Sequence, residues 1–253
     1  MNLADVIEGR FSTHSLSTNI VHYVVVSTTV SAPDALRLRN VMDAEERAKA
    51  DRYRFEKDRQ AFTVCRGALR MILGKYTNTA PESVRFDYGR HGKPQLAGLG
   101  SSNLRGGDLR FNVSHSGEVA LIAAILGREV GVDVEVMRPQ LDFLSLARTS
   151  FSPTERDLVA KNPVEKQAKL FYEFWSCKEA CIKADSRGLG VSLSQFCVGG
   201  GVGANGSTSP WRMVTVLPGG TLALDTRVRV LDAGFGYSAA VAARGADWDA
   251  RAL

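Results

Sequence analysis

The sequence predicts an α+β fold, and three observations carry that prediction. Segments with strand character and segments with helical periodicity occur in both halves of the chain. The strand segments follow one another in hairpin-like order, most densely over residues 109–136. The composition is 44% hydrophobic and 23% charged over 253 residues, enough to build a sizeable core without disulfide staples.

In chain order, IVHYVVVSTT (20–29) is rich in β-branched residues and reads as a strand. Asp43, Glu45 and Glu46 make a capping-box start for a basic helix running to about residue 57. A second helix over about 59–76 carries Ala61, Phe62, Cys65, Ala68, Leu69, Ile72 and Leu73 on one face. VRFDY (84–88) is a short strand, and GRHGKP (89–94) is the turn after it. The Gly/Ser-rich stretch 97–108 reads as a loop, followed by strands at 109–115, 118–126 and 129–136. Ser152, Pro153 and Glu155 are a helix start with cap, first-turn proline and first-turn acid. Asn162 and Pro163 open the long helix that contains FYEFWSCKEACIKAD (171–185), and Gly188 and Gly190 end it. A glycine-rich loop at 199–209 precedes strands at 211–217, 226–231 and 236–243. Two subdomains are expected to meet near residues 127–131, giving an N-terminal half over 1–128 and a C-terminal half over 129–253. No short tandem repeat is visible.

The first twenty residues lack a basic start followed by an apolar run, and the longest apolar run, VALIAAIL, is far too short to span a bilayer. A cytoplasmic location and no membrane partner are therefore expected. The four cysteines form neither a disulfide framework nor a CxxC pair and read as small core residues. The segment from Arg37 to Lys75 holds eleven basic and six acidic residues, an excess equal to the whole net charge of +5. It is either a solvated helix face or a surface for an anionic partner. Nucleic acid is not expected, because no helix-turn-helix, RNA-binding-sheet or zinc-finger signature accompanies the charge.

Four places carry chemistry. On the strand EVGVDVEV, residues alternate faces. Val130, Val132, Val134 and Val136 form the core face, and Gly131, Asp133 and Glu135 the other. Cα atoms two residues apart on a strand are about 7 Å apart, so the two carboxylates raise each other's pKa unless a cation lies between them. A hard divalent ion, Mg²⁺, is the natural occupant, and Gly131 is read as leaving room for a ligand. The alternative is a half-solvated strand with two exposed acids. Ser114, His115, Ser116 and Gly117 end a strand with hydroxyls, backbone N–H groups and an imidazole, a phosphate-binding turn if the histidine is not merely structural. Lys93 stands beside Pro94 on a tight turn. Glu179 and Lys183 lie one helical turn apart in a largely apolar helix, either as an exposed ion pair or as paired site residues.

The order GKP, FNVSHSG, GVDVE, FSPTE and FWSCKEACIKADSRGLG, over roughly residues 45–198, resembles the surfactin-type (Sfp-like) 4'-phosphopantetheinyl transferases. The resemblance implies two similar α+β halves in one chain, a pseudo-dimer, with coenzyme A in the cleft between them. It implies transfer of the 4'-phosphopantetheine arm of coenzyme A to a serine of an apo acyl or peptidyl carrier protein, with release of adenosine 3',5'-bisphosphate. Asp133, Glu135 and Glu179 match the family's Mg²⁺ ligands, and Lys183 the lysine on the pyrophosphate. Ser114 and His115 match residues at the 3'-phosphate, and Lys93 the lysine near the nucleotide. Arg59 and Arg66 align loosely with basic residues that face the coenzyme. Glu179 is the expected general base, and a chain of this length is expected to be a monomer. Two other readings are a non-catalytic coenzyme A or nucleotide-binding module, which needs none of the carboxylates, and a Mg²⁺-dependent nuclease, which does not explain the order of the motifs.

Overall fold

The computed structural model describes residues 3–13, 16–89, 92–97, 108–138, 140–185, 190–199, 209–223 and 225–253. The chain divides into two compact units, one of Met1–Gly127 with Trp248–Leu253 and one of Arg128–Asp247. Strands and helices alternate irregularly in both, so the protein is α+β. Gly188, most of the loops at 97–108 and 199–209, and Arg90 and His91 of the GRHGKP turn lie outside the described residues.

The first unit contains α1 (Leu3–Ile7), β1 (Ile20–Ser27), α2 (Ala32–Asn40), α3 (Ala44–Asp51), α4 (Glu56–Thr77), β2 (Phe86–Tyr88), β3 (Pro94–Leu96), β4 (Leu109–Ser116), β5 (Val119–Leu126) and β11 (Asp249–Ala252). Its main sheet has the order β11-β1-β5-β4, antiparallel except for the parallel β1–β11 pair. The core forms where the stripe Val64, Cys65, Ala68, Leu69, Ile72 and Leu73 of α4 packs with Val24, Val26, Phe111, Ile122 and Ala124. Residues three and four apart on a helix share a face, so this stripe follows directly from the sequence period. The helix expected to run to about residue 57 ends at Asp51, and the second helix, expected from about residue 59, starts at Glu56. α3 closes with the short-range bonds of Arg52 N–H to Lys49 C=O and Tyr53 N–H to Ala50 C=O. The chain then extends at Phe55, and α4 begins at Glu56. The break brings the Tyr53 ring to 5.6 Å from that of Phe62.

Asp43 and Glu46 form the expected capping box of α3, and they also bind Arg70. That guanidinium is fully buried. It donates to Glu46 Oε2 and Asp43 Oδ2, each at 2.6 Å, and to the carbonyls of Pro81 at 3.1 Å and Val84 at 2.9 Å. A buried charge is tolerable only with such complete partnering.

The second unit contains β6 (Val130–Val136), α5 (Phe143–Ser150), α6 (Pro153–Lys161), α7 (Val164–Asp185), β7 (Phe196–Gly199), β8 (Trp211–Val216), β9 (Thr226–Leu231) and β10 (Tyr237–Arg244). Its antiparallel sheet runs β6-β10-β9-β8-β7. One face of α7 packs on this sheet through Cys177, Ala180, Cys181 and Ala184 against Val228, Ala240 and Ala242. Burial pushes the thiols of Cys177 and Cys181 well above their ordinary range, as expected of core residues rather than reactive ones. The N-terminal part of α7 carries a second cluster, in which Phe171 stacks on Phe151 at 5.1 Å and lies 5.7 Å from Trp175.

Candidate active site

The site is built on β6 and α7. Asp133 pairs in register with Ala240 and Gly131 with Ala242, and both alanines belong to the core under α7. The Gly131, Asp133 and Glu135 side of β6 is therefore the side that faces α7. Gly131 has a different role from the one read in the sequence. A Cβ there would stand 2.2 Å from the Ala180 carbonyl oxygen and 2.3 Å from the Ala184 nitrogen. The missing side chain lets the helix backbone, not a ligand, approach the strand. This contact sets α7 close against β6, with its preceding turn toward Asp133 and Glu135.

Lys183 Nζ lies 2.7 Å from Asp133 Oδ1. The aspartate side chain is 4% exposed and the lysine 30% exposed. Glu179 lies one turn before Lys183 on the same helix face and is half-buried. Its carboxyl is held above the ordinary range, first by burial and then by the charge of Asp133. Lys183 pulls it back down, and Glu135 pushes it further up. Asp133 and Glu135 thus both act on the Glu179 carboxyl, with the Lys183 ammonium opposing them.

That donor set suits a hard divalent cation: it is all oxygen, and it carries three acids against one base. Lys183 already supplies positive charge at Asp133, as a cation would. Among the described residues, no group of three or more His, Cys, Asp or Glu side chains is drawn together as a ready ligand cage. Beside Glu135 opens a cavity of 180 Å³, walled by Leu141, Leu146, Phe171, Tyr172 and Trp175, with Val136 and Arg138 completing it.

The other residues singled out in the sequence lie in the first unit. β4 continues one residue beyond the expected end, to Ser116, and Gly117 turns the chain with φ of 57°. Ser114 and His115 are consecutive strand residues and so point to opposite faces, the serine buried and the histidine exposed. Lys93 precedes β3, and its carbonyl accepts the Gly89 N–H at 3.1 Å to close the β2–β3 hairpin. Arg59 pairs with Glu56 one turn earlier in α4. Arg66 is 11% exposed, 3.2 Å from Glu46 and 5.0 Å from the Phe86 ring centroid.

Sequence reasoning gave no role to Lys178, which is fully buried and 2.8 Å from Glu155 Oε2. The signal was a lysine in the middle of an apolar stripe. Only the fold shows which acid it meets.

Three carboxylates and a lysine thus meet where β6 and α7 pack in this α+β unit. Residues 129–204 match the 4'-phosphopantetheinyl transferase superfamily, and residues 29–127 match the family described as 4'-phosphopantetheinyl transferase, N-terminal. The 4'-phosphopantetheinyl transferase HetI of Nostoc sp. (strain PCC 7120) is 40% identical over 60% of this chain and 62% of its own length. A 4'-phosphopantetheinyl transferase of Bacillus subtilis is 31% identical over 70% of this chain and 75% of its own. The 4'-phosphopantetheinyl transferase Sfp of Bacillus subtilis (strain 168) is 28% identical over the same shares. The chain belongs to the 4'-phosphopantetheinyl transferase family. It spans less than two thirds of HetI.

Proposed function

We propose that the protein transfers the 4'-phosphopantetheine arm of coenzyme A to a serine of an apo acyl or peptidyl carrier protein and releases adenosine 3',5'-bisphosphate. The observation that carries the reading is the meeting of Lys183, Asp133 and Glu179 across β6 and α7 in a member of this family. The relatives are named as transferases, which favours catalysis over a module that only binds coenzyme A.

In the proposed reaction, the serine oxygen bonds to the β-phosphorus of coenzyme A. The bond from that phosphorus to the bridging oxygen breaks, and the adenosine bisphosphate leaves with the electron pair. Asp133, Glu135 and Glu179 would hold Mg²⁺, which when bound supplies Lewis-acid neutralisation of the charge developing on the leaving phosphate. Glu179 accepts the serine proton. Lys183 donates to pyrophosphate oxygens, and its ammonium is already oriented by Asp133. His115 recognises the 3'-phosphate, Ser114 stands on the opposite, buried face of β4, and Lys93, Arg59 and Arg66 add positive charge toward the nucleotide. The basic 37–75 segment steers an acidic carrier protein.

The proposal includes a cytoplasmic monomer. All four cysteines are free, which suits a reducing compartment. Among the described residues, no helix is long and apolar enough to cross a membrane.

The test is one incubation of the protein with apo carrier protein, coenzyme A and Mg²⁺, read by intact mass, with an EDTA control. A gain of one phosphopantetheine that EDTA abolishes supports the proposal. Bound coenzyme A with no gain on any of several carriers would leave only the binding module.

A further inference from the structure

We propose that Lys178 and Glu155 form a buried positioning pair that sets the rotation of α7 and thereby the place of Glu179; the inference rests on the transferase reading above. Neither residue reaches solvent: Lys178 is 0% and Glu155 1% exposed. The ammonium donates to Glu155 Oε2 at 2.8 Å, to the Leu193 carbonyl at 2.8 Å and to the Phe196 carbonyl. Its three donors are thereby all used. It also lies 4.3 Å from the centroid of the Phe196 ring. Glu155 Oε2 accepts from Ser152 N–H at 3.0 Å and Ser152 O–H at 2.7 Å, and Oε1 accepts from Val198 N–H at 2.7 Å. One ion pair therefore ties α7 to the N-terminus of α6, to the segment 193–196 and to β7.

Stability alone does not call for this arrangement. A buried ion pair replaced by apolar groups of similar volume is often neutral or better for stability. What apolar groups lack is direction. The face of α7 on the sheet is made of Cys177, Ala180, Cys181 and Ala184 over Gly131, Ala240 and Ala242. Such small side chains interlock less deeply than large ones, so directional bonds add to what the Gly131 contact and the Phe171 cluster fix. Lys178 supplies three directional bonds at a single angular position. Successive residues on a helix are about 100° apart, so holding Lys178 at its angle holds Glu179 at its own, toward Asp133 and Glu135. The pair acts through Glu179 and touches no reacting atom.

The test compares the wild type with Lys178→Met and with Lys178→Met/Glu155→Gln. Readouts are melting temperature, Mg²⁺ binding by calorimetry in the presence of coenzyme A without carrier, and transfer kinetics. Lys178→Met should melt far below wild type, because it leaves a buried carboxylate without its cation. The double variant should regain most of the melting temperature. It should still bind Mg²⁺ several-fold more weakly and turn over about tenfold more slowly, with the KM for coenzyme A within about twofold. A double variant that recovers Mg²⁺ affinity and kcat together with its melting temperature overturns the inference. So does failure of both variants to fold, which would make the pair an element of stability only. If the wild type transfers nothing but the double variant still loses Mg²⁺ affinity, the transferase reading fails and the positioning role stands.

Discussion

Lys183 and Asp133, fifty residues apart in the chain, meet at 2.7 Å between Nζ and Oδ1. The carboxylate is almost wholly buried, so it is screened little by solvent and its charge is felt strongly by its neighbours. Asp133 raises the proton affinity of Glu179, and Lys183 opposes that effect. The two residues thus set the charge balance of the site from opposite sides.

Asp133→Ala is the most direct probe of that balance. The change removes the buried carboxylate and leaves Val132 and Val134, which point to the other face of β6, untouched. The protein should still fold, as read by circular dichroism melts in EDTA. Transfer should fall at least about a thousandfold, on the order of 4 kcal/mol of transition-state stabilisation. A folded variant with near-normal rate and unchanged Mg²⁺ dependence would remove the metal from this strand.

His115 is tested by substrate discrimination. His115→Ala should raise the KM for coenzyme A about tenfold, a loss of roughly 1.4 kcal/mol. The penalty should shrink with 3'-dephospho-coenzyme A. Equal penalties with both substrates would show that the imidazole does not read the 3'-phosphate. Since Ser114 points to the opposite face of β4, Ser114→Ala should not reproduce the pattern by the same contact.

Gly131→Ala should damage the site through the backbone. The new Cβ would fall 2.2 Å from the Ala180 carbonyl oxygen, and the atoms it meets are main chain rather than a flexible side-chain end. A loss of about 1–3 kcal/mol or more in stability is expected, as for overpacking of a close contact. Transfer measured below the melting transition should also fall, because α7 must shift away from β6 and carries Glu179 and Lys183 with it. Wild-type melting and rate would show that the helix does not rest on this glycine.

His22 predicts a pH dependence of stability remote from the site. It is 1% exposed, its Nδ1 lies 2.6 Å from the Tyr76 hydroxyl, and burial with the nearby charge of Arg251 lowers its pKa to about 4. Above the ordinary histidine pKa of 6.5 the ring is neutral in both the folded and unfolded states, and stability is full. As pH falls from there toward 4, the unfolded chain takes up a proton that the folded chain refuses, so stability declines. The loss is on the order of 3 kcal/mol if this ring acts alone. Chemical denaturation of wild type and His22→Gln between pH 7 and about 4 checks it. The slope attributable to this proton should vanish in the variant, and an unchanged slope would assign acid sensitivity elsewhere.

Much of this protein is determined by local sequence. The capping boxes at Asp43 with Glu46 and at Ser152 with Glu155 form as the residue types require. Most of the apolar stripes of α4 and α7 is buried where the helical period puts it, while Phe62 and Trp175 are half-buried. The order of short motifs from Lys93 to Lys183 is enough to reveal the family, because such spacing is a property of the chain itself.

Tertiary structure decides what those residues meet. α3 stops at Asp51 although polar helix formers continue, because a helix end depends on what packs around it as well as on propensity. β11 is four residues with a largely exposed pattern, and it is a strand only because β1 offers it a partner. Gly131 looks open in a sequence, yet the backbone of α7 fills the space above it. Lys178 and Lys183 are lysines five positions apart on one helix. The first is sealed in the core with Glu155, while the second stays partly exposed on Asp133. Nothing local distinguishes them, because the energy of a buried charge is set by the partner that long-range folding brings within hydrogen-bonding distance.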